Sequence, residues 1–219
     1  MKKTIFILSC ILLSVATMGQ SDKYIGIMQT NIALIDTTKN ITTLTNLAGT
    51  FERIANAEKT QWLPYYYSAL ADINIAYAYF SDPSVTNKTE KIDPLADKAE
   101  ALINKADELS KDNSEIYVMK KMIASMRMMA DPMSRYMTYG PIAAQALATA
   151  KKLDPENPRV YILEAEDKYF TPEQYGGSKA EAKTLFETAL KKLDTFKPQS
   201  DISPQWGRSE ANYFLGQMK

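Results

Sequence analysis

The chain has 219 residues, 45% of them apolar and 24% charged, the make-up of an ordinary folded protein rather than a disordered one. Its 26 lysines and arginines equal its 26 aspartates and glutamates, so no basic surplus points to nucleic acid. It has no histidine and one cysteine, Cys10, which excludes His-based triads, most zinc sites and any intrachain disulfide.

Lys2 and Lys3 precede an uncharged run from Thr4 to Met18, and small residues stand at Thr17 and Gly19. This pattern predicts a secretory signal over residues 1–19, cleaved before Gln20, because the run is too short to span a bilayer. Lipidation at Cys10 is disfavoured, since Ile11-Leu12-Leu13 continue the apolar stretch beyond the implied cut. The mature chain is then exported, periplasmic or secreted, and carries neither a thiol nor a stable membrane span.

Two helices are predicted over Tyr24 to Ile35 and Thr42 to Ala57, the second with Leu44, Leu47, Phe51 and Ile54 on one face. Residues 20–60 thus form an N-terminal pair, a degenerate copy of the unit that recurs later in the chain. Pro64 opens the next helix, which runs towards Phe80. From there one pattern recurs. Ala99, Ile103, Ala106 and Leu109 share their offsets with Ala143, Leu147, Ala150 and Leu153, and Ala182, Phe186 and Ala189 repeat the first three. On a helix these offsets form a ridge of alternating small and large apolar groups. Asn113 and Asn157 follow the first two ridges, and Tyr117 and Tyr161 stand four residues later, in helices that start near Ser114 and Pro158.

Ala150-Lys-Lys-Leu-Asp-Pro-Glu-Asn-Pro158 resembles the closing segment of a tetratricopeptide repeat, and Ala182-x3-Phe186-x2-Ala189 fits the same family's second helix. The ridges are 44 and 39 residues apart against a family repeat of about 34, so each unit carries an insertion, and Tyr169 to Gly177 is one of them. The resemblance implies an all-α fold, a short right-handed α-α solenoid of helix-turn-helix units over residues 61–195. Residues 196–219 supply a loop and a capping helix from Trp206 to Met218.

Seven methionines fall between Met119 and Met137. Met119, Met122, Met126, Met129 and Met133 are spaced as one helical stripe, which reads as core packing rather than a copper site. Tyr175-Gly176-Gly177 lacks the lysine of a phosphate loop and reads as a turn before a helix near Ser178. It is also similar to a double glycine in exported tetratricopeptide-like subunits of solute transporters. Glu164, Glu166 and Asp167 read as a solvated acidic face. No catalytic residue, metal ligand or cofactor is predicted.

The family binds along the face of its first helices. Its register places Arg159, Ile162, Glu166 and Tyr169 there in one unit, and Glu115, Val118, Met122 and Ser125 in the preceding one. The expected role is a non-catalytic scaffold for another protein or peptide of the cell envelope. The alternative is a periplasmic small-ligand binder serving a transporter, with a closed pocket lined by Tyr66, Tyr77 or Trp62.

Overall fold

The structure, a computed structural model, describes residues 22–218. The predicted signal segment and Cys10 lie outside the described residues. Nine α-helices and no strand are found among the described ones. Helix α1 covers residues 22–35, followed by α2 (Ile41–Glu58), α3 (Trp62–Ser81), α4 (Lys88–Leu109) and α5 (Ser114–Ala130). Then come α6 (Pro132–Leu153), α7 (Pro158–Phe170), a 3-10 turn (Glu173–Tyr175), α8 (Lys179–Thr195) and α9 (Arg208–Gln217). No helix among them is long and apolar enough to cross a membrane.

Side-chain caps start most helices. Asn113 accepts a hydrogen bond from the Glu115 amide at 2.9 Å, and Asn157 accepts one from the Arg159 amide at 3.0 Å. Ser178 caps α8 through the Glu181 amide at 3.2 Å. Each cap satisfies an amide that has no partner within its helix. The repeated asparagines of the sequence are therefore helix starts.

The recurring ridge is the packing surface of α4, α6 and α8. Ala99, Ile103, Ala106, Ala150, Ala182, Phe186 and Ala189 are fully buried, and Ala143 nearly so. Small side chains at these positions let a neighbouring helix approach closely. Each helix from α2 onward packs on its sequence neighbours, and α3, α5 and α7 also touch one another in order. Tyr117 and Tyr161 are half-buried, with lysine ammoniums stacked over their rings.

The methionine stripe is shorter than its spacing predicts. Met119, Met122 and Met126 are buried in α5, but Met133 is 96% exposed. Asp131 caps a new helix with Pro132 at its first turn, so α5 ends at Ala130 and Met133 belongs to α6. Proline there needs no amide hydrogen bond and is preset for a helix start.

The chain after α8 does not extend the stack. Residues 196–207 run back across α3, where the Tyr67 hydroxyl donates to the Ile202 carbonyl at 2.9 Å and Trp206 Nε1 donates to the Tyr66 hydroxyl at 2.8 Å. Two apolar clusters result, a large one from α1 to α7 closed by Ile202 and Trp206, and a smaller one among α7, α8 and α9 centred on Phe186 and Phe214.

Candidate functional site

The residues predicted for the binding face do come together, but inside the protein. Tyr66, Val118, Arg159 and Ile162 are completely buried and Glu115 nearly so, which corrects their expected place on an open face. The segment from Phe196 to Gly207 covers them. Glu115 is the hub. Its Oε1 accepts from Asn157 Nδ2 at 2.7 Å and Arg159 Nε at 2.6 Å, and its Oε2 accepts from the Tyr66 hydroxyl at 3.0 Å. The Arg159 guanidinium lies 4.8 Å from the centre of the Phe196 ring. Burial first, and the Glu115 carboxylate second, push the Tyr66 phenol well above its ordinary value, so it remains a donor. This knot pins α3, α5, α7 and the C-terminal segment together, and offers no surface to a ligand. Ser125 and Met122 are buried as well.

Three of the predicted residues keep some exposure. Tyr77 and Glu166 are half-buried, in a cluster with Lys121, Asp167 and Glu210. Burial, then the hydrogen-bonded Glu210 carboxyl, holds the Glu166 carboxyl well above its usual range, against the pull of Lys121. Lys121 itself pairs with Asp167 at 2.8 Å. Tyr169 is half-buried beside Phe214, with ring centres 5.0 Å apart. Trp62 lines a cavity of about 330 Å³ with Tyr24, Gln199 and Ile202, behind which Tyr66 is fully enclosed.

The uncovered apolar surface lies elsewhere, on α6. Met133, Met137, Gly140, Ala144, Leu147 and Lys151 are spaced 4, 3, 4, 3 and 4, so they form one stripe along the helix. At its C-terminal end this stripe faces α7. Lys151 pairs with Glu164 at 2.7 Å and stacks over Tyr161, and Leu147 is half-buried. At its N-terminal end no described residue covers Met133 or Met137. Met133 and Met137 are 96% and 81% exposed, and Tyr136 beside them is 59% exposed.

Helix lengths explain the difference. The 22 residues of α6 span about 33 Å and the 13 of α7 about 20 Å. The short 154–157 connection makes the two antiparallel, and the Lys151–Glu164 pair sets their register. That register puts Phe170, the last residue of α7, level with residues 142–145 of α6, so the first turns of α6 run on past α7, held on their other side by α5 and by the Arg135–Asp93 pair to α4. Contact between α6 and α7 is correspondingly sparse. Phe170 and Tyr175, 67% and 72% exposed, stand at this end of the seam, and Phe170 packs edge-on against Phe214 at 5.5 Å. Lys179 holds its ammonium 5.5 Å from the Tyr169 ring centre.

The open end of the seam therefore presents thioethers and a phenol on α6, with the Phe170 ring at the end of α7. Such a surface can hold a flat apolar ligand, and methionine sulfur or tyrosine oxygen can serve a metal that such a ligand carries. The sequence held one signal for it, the Asp131-Pro132 start that detaches Met133 and Met137 from the core helix.

Among the described residues, fold and site define an all-α protein of neighbour-packed helices with an uncovered methionine and aromatic surface on α6. Comparison with solved structures gives a more particular result. The chain is 33% identical to the HusA haemophore from Porphyromonas gingivalis, over 90% of this chain and 92% of that one, with a TM-score of 0.76. The chain belongs to the family of that protein. No protein-family model matches the sequence, and no curated protein does.

Proposed function

We propose that the protein is an exported, non-catalytic carrier of a haem-type metalloporphyrin, held at the open end of the α6–α7 seam. The observation that carries this reading is the extent of the likeness to a haemophore, nine-tenths of both chains at 33% identity. The seam supplies a surface of suitable chemistry. A porphyrin is flat and apolar, and Met133, Met137 and Phe170 offer it apolar contact. Haem iron takes axial ligands from histidine, cysteine, methionine or tyrosine. The sequence has no histidine, and its single cysteine lies in the predicted signal, which leaves methionine and tyrosine, here Met133, Met137 and Tyr136 on α6 and Tyr175 beyond α7.

This reading favours small-ligand binding over a protein-binding scaffold. It remains compatible with a short right-handed solenoid of tetratricopeptide type, which the ordered contacts of α3, α5 and α7 support, and with delivery of the cargo to an envelope partner.

The test is titration of the mature chain with hemin, followed at the Soret band, beside the same titration with iron-free protoporphyrin. Saturable one-to-one binding is expected. Met133 and Met137 are exposed, so M133A/M137A leaves the fold intact. It should weaken hemin by about tenfold or more, since one decade corresponds to about 1.4 kcal/mol of lost apolar contact. Y136F tests the phenol oxygen, and a changed hemin spectrum with unchanged protoporphyrin affinity identifies Tyr136 as the iron ligand. No saturable binding of hemin refutes the function. Binding indifferent to all three α6 side chains refutes the site.

A further inference from the structure

A cavity of about 320 Å³ opens where α2, α3 and α4 meet, within the size range of small-ligand pockets. Ala48, Ile75, Pro94 and Leu95 make its apolar walls, and Asp72 belongs to its lining. Asp72 is only 2% exposed, and its Oδ2 has no hydrogen-bond donor. The Lys98 ammonium lies 3.4 Å away but is not aligned for a hydrogen bond, and it also serves Glu52 at 3.1 Å. A buried carboxylate oxygen without a donor is costly and rare in folded proteins.

Pro94 adds a second acceptor. Inside α4 it has no amide hydrogen to give the Glu90 carbonyl, its usual partner one turn back, and both residues line the cavity. The charges around it come from three helices: Glu52 on α2, Asp72 with the Tyr79 phenol on α3, and Glu90, Lys91 and Lys98 on α4. Glu52 and Asp72 share the single Lys98 ammonium, so the three carboxylates around the cavity outnumber its two lysines by one.

We propose that this cavity is a second binding site, separate from the α6–α7 seam, and that it takes a small organic ammonium ion with an apolar stem. The ammonium brings what the cavity lacks, one positive charge and three N–H donors for the Asp72 carboxylate and the Glu90 carbonyl. A stem of about four carbons lies along Ile75 and Leu95, each buried methylene adding about 0.8 kcal/mol. Burial holds the Asp72 carboxyl up at about 6, so it is mostly ionised at pH 7.5 and mostly protonated at pH 5.

The probe is n-butylammonium, titrated into the mature chain at pH 7.5 and followed by the methyl NMR shifts of Ala48, Ile75 and Leu95. Saturable shifts confined to these methyls are expected, with affinity falling tenfold or more in D72N and several-fold in wild type at pH 5. L95W, which fills the cavity without touching Asp72, should abolish the shifts while the protein melts as a folded chain. Hemin titration of both variants should match wild type. The proposal is overturned if butylammonium gives no saturable shift, or if folded L95W binds as wild type does. It is also overturned if tetramethylammonium, which has the charge but no N–H donor, binds equally well.

Discussion

Replacing Glu115 by alanine tests the reading of the buried knot as structure rather than site. The change deletes the one carboxylate that serves Arg159, Asn157 and Tyr66 at 2.6, 2.7 and 3.0 Å. Arg159 is wholly buried, and its Nη1 already has no hydrogen-bond partner, so no water-exposed route relieves its charge. Breaking a buried ion pair by removing one partner costs about 3–5 kcal/mol, because a bare charge stays behind. For a protein with about 200 residues each kcal/mol lowers Tm by about 2–4 °C, so E115A should melt roughly 10–15 °C below wild type. E115Q retains an acceptor oxygen and should lose less. Urea titration followed by circular dichroism measures both. Below its melting range E115A should bind hemin as wild type does. A loss under 1 kcal/mol refutes the argument, as does an E115A protein that stays folded and has lost hemin.

Stability should also run against pH in an unusual direction. Asp72 is held up at about 6 by burial, and Glu166 is raised by burial and Glu210. A carboxyl whose folded pKa exceeds its unfolded value binds its proton more tightly when folded, so stability falls as pH rises from about 4 to 6 and levels off above. For Asp72 the rise from 3.8 to about 6 corresponds to about 3 kcal/mol. Denaturant midpoints should therefore be higher at pH 5 than at pH 7.5, with a smaller difference in D72N. A midpoint that climbs between those two pH values refutes this. At the α7–α8 turn, a Cβ on Gly177 would overlap the Thr171 backbone carbonyl. G177A should cost several kcal/mol by thermal melt, whereas G26A, with open space around it, should change little.

Helices α4, α6 and α8 were legible because their signal is local. Alternating small and large residues at fixed offsets describe a ridge whatever lies across it, and Ala99, Ala150 and Ala189 are as buried as that pattern requires. The repeated asparagines were legible for the same reason. The partner of the first-helix face was not, since it comes from residues 196–207, distant in sequence and without periodicity. Val118 and Ile162 therefore resemble groove positions in the sequence although they are core. A signal for the ion pair was nonetheless present. Glu115 and Arg159 each follow a capping asparagine by two residues, in adjacent units. The two opposite charges, at the same place in α5 and α7, meet at 2.6 Å.

The irregularities of the sequence point to the proposed haem surface better than its regularities do. In a uniform stack each helix covers its neighbour along the whole length, and a stripe such as Met133, Met137, Gly140 and Leu147 would be buried from end to end. Here α7 stops at Phe170, and the chain spends residues 171–178 on a 3-10 turn and two glycines before α8 begins. Because α7 is nine residues shorter than α6, about 13 Å of α6 is left uncovered by it. Lengthening α7 by two turns, with the turn deleted to match, should therefore close the seam over Met133 and Met137. Such a chain should melt higher, from the added burial, and lose hemin. Higher stability with hemin binding intact would place the ligand on another surface.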